Sequence, residues 1–325
     1  MIVLSHADIE TLFPMEKAIG VVQRVMIEVS ARRAELPLRS VVPVGGANRM
    51  GVMPGALADP ACFGVKLVSL FPGNPAKGLS SHRGAIVLFE AETGEAIAMM
   101  DASLLTAVRT AAASAVATRA LARKDATALA IIGYGEQAWH HLDAMLAVRR
   151  IERVAVAGRS AEKADDFSLK ASKRHPGVVF TSGSDVRAAV EDADIVCTVT
   201  ASAAPILMGD WLPAGCHVNV VGSSIPSMRE VDDRLVERAA IWVDYLPSTL
   251  AQAGEIVEMI AAGRFSADDL RGEIGSVLAG DAAGRSSRDE ITVYRSLGIA
   301  AQDLASAHFI HAEAKVRGIG QHVAL

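Results

Sequence analysis

Aromatic residues are scarce in this chain. Three Trp, three Tyr and eight Phe make up 4% of its 325 positions. The core is therefore aliphatic, built on Ala, Val, Ile and Leu. Cysteine is scarcer still. Cys62, Cys197 and Cys216 stand far apart and form no C-x-x-C pair. That excludes a disulfide framework and zinc-knuckle spacing, so no metal is expected, and it points to a reducing, cytoplasmic compartment. No run of Lys or Arg appears, and the formal charge is -5, which gives no electrostatic footprint for nucleic acid. The most apolar long stretch, 104–122, is interrupted by Arg109 and Arg119, which are costly in lipid, so no membrane span is expected. The opening residues, Met1 to Asp8, have neither a basic segment nor an apolar one of signal-peptide type. Internal repeats and low-complexity linkers are also missing.

What remains is a globular composition, 51% apolar and 21% charged, over a length that suggests two domains. Ser5 and Asp8 have capping-box spacing ahead of a helical run from Ile9 to Val29, which Pro14 splits. Short pieces punctuated by turns follow: Arg39 to Val44, Gly51 to Gly55, Phe63 to Leu70, then Ala85 to Phe89 and Ala96 to Met100 about a Glu92-Thr93-Gly94-Glu95 turn. This region reads as antiparallel and α+β. From about residue 103 the pattern changes. A long Ala-rich helix, 104–122, leads into alternating strands and helices: 128–132, 136–148, 153–157, 178–180, 185–190, 195–199, 218–221 and 241–243. That alternation predicts an α/β fold with a Rossmann-like, doubly wound parallel sheet. The closing helix, 297–315, returns to the first domain. The expected division is a domain formed by both chain ends, 1–115 and 300–325, and a dinucleotide-binding domain over 116–299.

The most informative local feature is Gly133-Tyr134-Gly135-Glu136-Gln137-Ala138, between an apolar strand and a helix. Gly133 permits the tight turn, Gly135 lets backbone approach a pyrophosphate, and Ala138 lets the helix pack closely on the sheet. The helix N-terminus offers free N–H groups to phosphate. A purely structural strand-turn-helix is the plainer alternative, and the second strand at the expected distance weighs against it. That second strand ends Ala157-Gly158-Arg159-Ser160, with no acid to accept from a ribose 2′-OH. Arg159 and Ser160 suit a 2′-phosphate, so NADP(H) is preferred and NAD(H) remains possible.

Four basic residues sit in apolar or turn-rich surroundings: Arg39, Lys66, His82 and Arg109. A buried Lys needs an anion, and Arg matches carboxylate geometry. The cluster is either a pocket for a carboxylate substrate or a set of internal salt bridges to Glu90, Asp101 or Asp59.

These surroundings resemble the ornithine cyclodeaminase/μ-crystallin family over nearly the whole chain. The resemblance is carried by Phe63-Gly64-Val65-Lys66, by Arg109-Thr110-Ala111-Ala112-Ala113-Ser114-Ala115 (the most specific run) and by the glycine turn. Val218-Asn219-Val220-Val221-Gly222-Ser223-Ser224, Gly272-Glu273-Ile274-Gly275 and Ser296-Leu297-Gly298 complete it. It implies a homodimer whose first domain forms the substrate site and the dimer interface. It implies that Arg39, Lys66, His82 and Arg109 bind the substrate, with Lys66, Arg109 and Ser224 as the catalytic set. Cofactor contacts are implied for Ser81, His82, Arg109, Gly133, Gly135, Glu136, Gln137, Gly158, Arg159, Ser160, Thr200, Val221, Ser223 and Ser296.

One departure narrows the chemistry. Cyclodeaminases of the family carry an Asp as acid/base where this chain has Ser224. A hydroxyl does not usefully hold a proton near neutral pH. The chain is therefore similar to the ketimine reductase branch, which implies NAD(P)H-dependent reduction of a cyclic imino acid such as Δ1-pyrroline-2-carboxylate or Δ1-piperideine-2-carboxylate. Conversion of ornithine to proline and ammonia, an amino-acid dehydrogenase such as alanine dehydrogenase, and a non-catalytic NADP-dependent ligand-binding protein remain as alternatives.

Overall fold

A computed structural model describes residues 1–324, with the side chains of Pro75 and His82 outside the description. The chain divides into two compact units, residues 1–109 with 299–325, and residues 110–298.

The first unit begins with strand β1 (Ile2–Leu4) and helices α1 (His6–Leu12) and α2 (Met15–Ser30). Ser5 caps α1, and Asp8 completes the capping box. Pro14 breaks the helical run, because it cannot donate inside a helix and so starts α2 as its N-cap. Strands β2 (Ala34–Glu35), β3 (Ser40–Gly45), β4 (Asn48–Leu57), β5 (Cys62–Leu70), β6 (His82–Glu90) and β7 (Ala96–Asp101) follow. Helix α3 (Ala102–Leu121) then carries the chain out of the first unit.

The second unit contains β8 (Ala128–Ile132), α4 (Glu136–Val148), β9 (Arg153–Ala157), α5 (Ala161–Arg174), β10 (Val179–Gly183), α6 (Val186–Val190) and β11 (Ile195–Thr198). It continues with β12 (His217–Val220), α7 (Asp233–Arg238), β13 (Ala240–Val243), α8 (Leu246–Gln252), α9 (Gly254–Ala261), β14 (Gly272–Glu273), α10 (Ile274–Ala279) and β15 (Thr292–Arg295). Helix α11 (Ala300–Arg317) and strand β16 (Gln321–His322) return to the first unit.

In the first unit the strands run β16-β1-β7-β6-β5-β4-β2, with β3 paired to β4. Neighbours are antiparallel except β1 and β7, which are parallel. Helix α11 lies on this sheet and against α2, with Ala301, Leu304, Ala307 and Ile310 buried. It comes close to the strands because two glycines, Gly55 and Gly64, make room: a Cβ at Gly55 would lie 3.2 Å from Ala300 Cβ and 3.3 Å from Leu304 Cδ1. A Cβ at Gly64 would lie 2.8 Å from Leu304 Cδ2 and 2.3 Å from the Val87 carbonyl oxygen.

The second unit is a parallel sheet in the order β10-β9-β8-β11-β12-β15-β13-β14. From β8 the chain builds outward through β9 and β10. It then crosses back to β11 on the other side of β8, which makes the junction of β8 and β11 a topological switch point, where ligands bind such sheets. The α/β, doubly wound expectation holds. Strand β15 is absent from the sequence reading. Its four residues are all buried, so they show no alternation, and they lie between charged loop and glycine rather than in a long apolar run.

Two histidines are entombed in the second unit. His141 bonds to Ser114 Oγ (3.0 Å) and to the Gln137 carbonyl, and His217 bonds to Thr292 Oγ1 (2.9 Å). Burial pushes His141 down to about 4 and His217 to about 3. Both lie below the value in an unfolded chain, about 6.5. The unfolded chain therefore binds more protons once pH drops below about 6.5, and stability is lost as pH falls from there towards 3–4. Urea midpoints measured across that window should fall steeply. His141→Gln and His217→Gln should each flatten the slope by about one proton.

Candidate active site

The period of two along β5 places Lys66 on the same buried face as Cys62 and Gly64. The Lys66 side chain is 3% exposed, and its Nζ lies 2.8 Å from Asp303 Oδ2 and 3.5 Å from Thr106 Oγ1. Arg109, on α3, donates from Nε to Asp303 Oδ1 (2.9 Å) and from Nη1 to Gln302 Oε1 (2.7 Å). Asp303 and Gln302 are fully buried on α11. Three elements thus meet at one carboxylate. The sequence reading offered Glu90, Asp101 or Asp59 as the anion, and the structure corrects it. Glu90 receives Glu92 N–H and Thr93 N–H across the β6–β7 turn. Asp101 receives the first N–H groups of α3, and Asp59 is exposed.

Two cations share one anion, so the cluster carries an excess positive charge. Removal from water pushes Lys66 down to about 7. The Arg109 charge and, more weakly, that of Arg39 act the same way, against the pull of Asp303. Arg39 is half-buried, just ahead of β3. Arg109 has five N–H donors, and the two bonds above engage Nε and Nη1. Chemically, an excess positive charge with guanidinium donors beyond those two bonds is able to hold a further anion. His82 belongs to the same expectation, but its side chain lies outside the described residues; Ser81, beside it, is half-buried, and its carbonyl accepts from Phe71.

The second unit holds the glycine turn at the end of β8. Gly133 has φ +121°, and a Cβ there would lie 2.9 Å from the Val199 carbonyl oxygen, so glycine is required. Gly135 is the N-cap of α4, has no side-chain cap and faces open space where a Cβ would stand. Glu136 and Gln137 open that helix, and Ala138 is fully buried. A backbone cradle with a bare helix N-terminus fits a pyrophosphate. Beside it, Gly158 and an exposed Arg159 follow β9, and Ser160 caps α5 by accepting from Lys163 N–H.

Across the switch point, the buried carboxylate of Glu230 fixes two loops. It accepts from Thr198 Oγ1, from Thr200 N–H and Oγ1 (2.7 Å each), and from Gly222 N–H (2.6 Å). Burial raises its pKa against those bonds. Val221 donates to the Thr198 carbonyl. Arg295, 1% exposed, donates to the Ser223 carbonyl (2.8 Å) and Oγ (2.9 Å) and pairs with Glu255. Ser296 Oγ and Gln137 Oε1 are buried and find no hydrogen-bond partner among the described residues. Ser224 is half-buried in the loop that Arg295 holds.

Lys66, Arg109 and Arg39 therefore cluster in the first unit, and the glycine turn, Arg159, Thr200, Ser223 and Ser296 belong to the second. Sequence reasoning missed Asp303, Gln302, Glu230 and Arg295. A signal existed for the first pair. Gln302-Asp303 interrupts an Ala/Leu helix as Arg109 does, and the same argument about buried charge applies to it.

A model of the ornithine cyclodeaminase/mu-crystallin family matches residues 1–318. The chain belongs to that family. Among curated relatives of this family member, a Delta(1)-pyrroline-2-carboxylate reductase from Bacillus cereus is 35% identical over 327 residues, 99% of each chain. Among solved structures, Thermococcus litoralis Delta(1)-pyrroline-2-carboxylate reductase, in complex with NADH and L-proline, superposes with a TM-score of 0.95 at 34% identity, over 99% of this chain and 100% of that one. An archaeal alanine dehydrogenase dimer with bound NAD follows at 0.93 and 30%, over 100% and 99%.

The depressed Lys66 makes a specific linkage. Its folded value, about 7, lies below the unfolded one, about 10.5. The destabilisation is complete below pH 7 and is relieved as pH rises towards 10.5. Urea unfolding between pH 7 and 9.5 should show the wild type gaining stability relative to Lys66→Met. Asp303→Asn leaves two buried cations without their anion and should cost about 3–5 kcal/mol.

Proposed function

We propose that this protein reduces the C=N bond of a cyclic 2-imino acid, of the Δ1-pyrroline-2-carboxylate or Δ1-piperideine-2-carboxylate type, to the amino acid, using NAD(P)H. The observation that carries the reading is the cationic cluster tied to Asp303, which has charge and donors to spare for one carboxylate. Lys66 Nζ and the Arg109 guanidinium bind that carboxylate, and Arg39 adds to the field. The glycine turn and the N-terminus of α4 hold the pyrophosphate, and Thr200, Val221, Ser223 and Ser296 serve the nicotinamide half. When bound, the reduced nicotinamide supplies the hydride for the imine carbon.

A protonated imine is already electrophilic, so the residues chiefly orient it and balance charge. A carboxylate beside Lys66 favours the ammonium form, so binding draws a proton onto Nζ at neutral pH. Lys66 then holds both an anion and a proton. The reductase reading is favoured over ornithine deamination by Ser224, whose hydroxyl is a poor acid/base. Of the three proteins described above, two bear the matching name, Delta(1)-pyrroline-2-carboxylate reductase, and the third is an alanine dehydrogenase.

NADP(H) is the preferred cofactor in this reading, because β9 is followed by Arg159 and Ser160 with no acid, although the two similar structures hold NADH and NAD. A homodimer is also part of the proposal. Outer strand β3 leaves Val41, Val42 and Val44 43–53% exposed, an apolar edge suited to a second copy. The three cysteines are free and buried, in keeping with a cytoplasmic setting, and among the described residues no helix is long and apolar enough to cross a membrane.

The test is oxidation of NADPH and NADH with each of the two cyclic imines. Turnover is expected without ammonia, and no turnover with either imine would overturn the substrate class. A requirement for ammonia with an open-chain keto acid would indicate an amino-acid dehydrogenase instead. Arg109→Ala should lower kcat/KM by about 10²-fold, the loss expected for charged hydrogen bonds. Arg109→Lys, which keeps the charge and loses the fork, should recover part of that loss.

A further inference from the structure

Tyr134 stands between the two glycines of the turn, where the turn itself asks for no particular side chain. It is one of three tyrosines in the chain. Its half-buried ring lies across the end of the neighbouring strand. A Cβ at Gly158 would come within 2.4 Å of Tyr134 Cε1 and 3.0 Å of Cδ1, so Gly158 is small because the ring covers it. The phenolic oxygen accepts a hydrogen bond from Ser160 N–H at 3.2 Å. The Ser160 hydroxyl is itself engaged as acceptor for Lys163 N–H at 3.3 Å. One side chain thus ties the β8–α4 turn to the β9–α5 turn.

The consequence lies in the donors. In a sheet of this type the residues after the second strand face the adenosine ribose. One backbone donor there, Ser160 N–H, is already spent on the phenol. The phenol's own proton has no acceptor among the described residues, and accepting from Ser160 makes it a better donor. Arg159, exposed beside it, brings a positive charge and needs no acid nearby. A donor next to a cation suits an acceptor-rich anion better than a hydroxyl.

We infer that Tyr134 is a specificity-determining residue. Its hydroxyl donates to the substituent on the ribose C2′ atom and, with Arg159, favours a 2′-phosphate over a 2′-hydroxyl. The inference rests on the NADP(H) preference proposed above and names the residue through which the glycine turn takes part in it.

Equilibrium titration of the full-length protein with NADPH and NADH, read by nicotinamide fluorescence, tests this without turnover. Competition by 2′,5′-ADP against 5′-ADP isolates the same group. The wild type should bind NADPH the more tightly. Tyr134→Phe keeps the ring over Gly158 and should weaken NADPH and 2′,5′-ADP about five- to tenfold, the size of a hydrogen bond to a charged group, while leaving NADH and 5′-ADP unchanged. Gly158→Ala pushes the ring away with the phenol still present, and should weaken NADPH and 2′,5′-ADP by a larger factor than NADH and 5′-ADP. A wild type that binds NADH as tightly as NADPH would overturn the cofactor preference, and the role of Tyr134 with it. An NADPH preference that survives intact in Tyr134→Phe would overturn the role of Tyr134 alone.

Discussion

Two cations within an aliphatic fold need an anion, and the first unit is arranged around the one they have. Asp303 is fully buried and receives Lys66 from β5 and Arg109 from α3. Its own helix, α11, lies against the sheet at Gly64, where the missing side chain lets Leu304 reach the strands. A helix from the end of the chain is thus pinned to a strand and a helix from its first third. Buried ion pairs seldom add net stability, because desolvation offsets the attraction. Hydrophobic residues of equal size would hold these elements at least as well. The cluster is better understood as positioned cations whose charge Asp303 only half cancels.

The second unit repeats the device with the sign reversed. Glu230 is a buried carboxylate whose acceptors are met by Thr198, Thr200 and Gly222. Arg295, tied to Glu255, does the same for the loop of Ser223. Backbone loops at a switch point carry unsatisfied polar groups by necessity, and a buried ion is a compact way of fixing several of them. These loops need such fixing because the parallel strands beneath them end at the crevice.

How much of this was legible in the sequence follows from the kind of signal each feature leaves. The glycine turn was readable because its chemistry is local: a strand, two glycines and a helix within ten residues. The split of the first helix at Pro14, its capping box and the hairpin about Glu92 to Glu95 were readable for the same reason. Strand β15 was not, since four buried residues show no periodicity. The partner of Lys66 and Arg109 was not, since Asp303 is 194 positions from Arg109 and nothing in spacing ranks it above Glu90 or Asp101. Those two acids turned out to serve their own turns and helix start, which is where most surface-side acids go. The need for an anion was legible; its address was a property of the fold.

The two halves of that pairing also explain why a lysine rather than a second arginine stands on β5. An arginine remains charged at any physiological pH, so a pair of them beside Asp303 would hold a fixed positive excess. Lysine is the residue whose charge burial can move, and here burial and Arg109 together bring it to about 7. Near neutrality the cluster therefore fluctuates between an excess charge and balance. In the function proposed above, a bound carboxylate would stabilise the charged form and its departure would release it. Recognition of the anion and the protonation state of Lys66 Nζ would then be one equilibrium, set by Asp303 on one side and by Arg109 on the other.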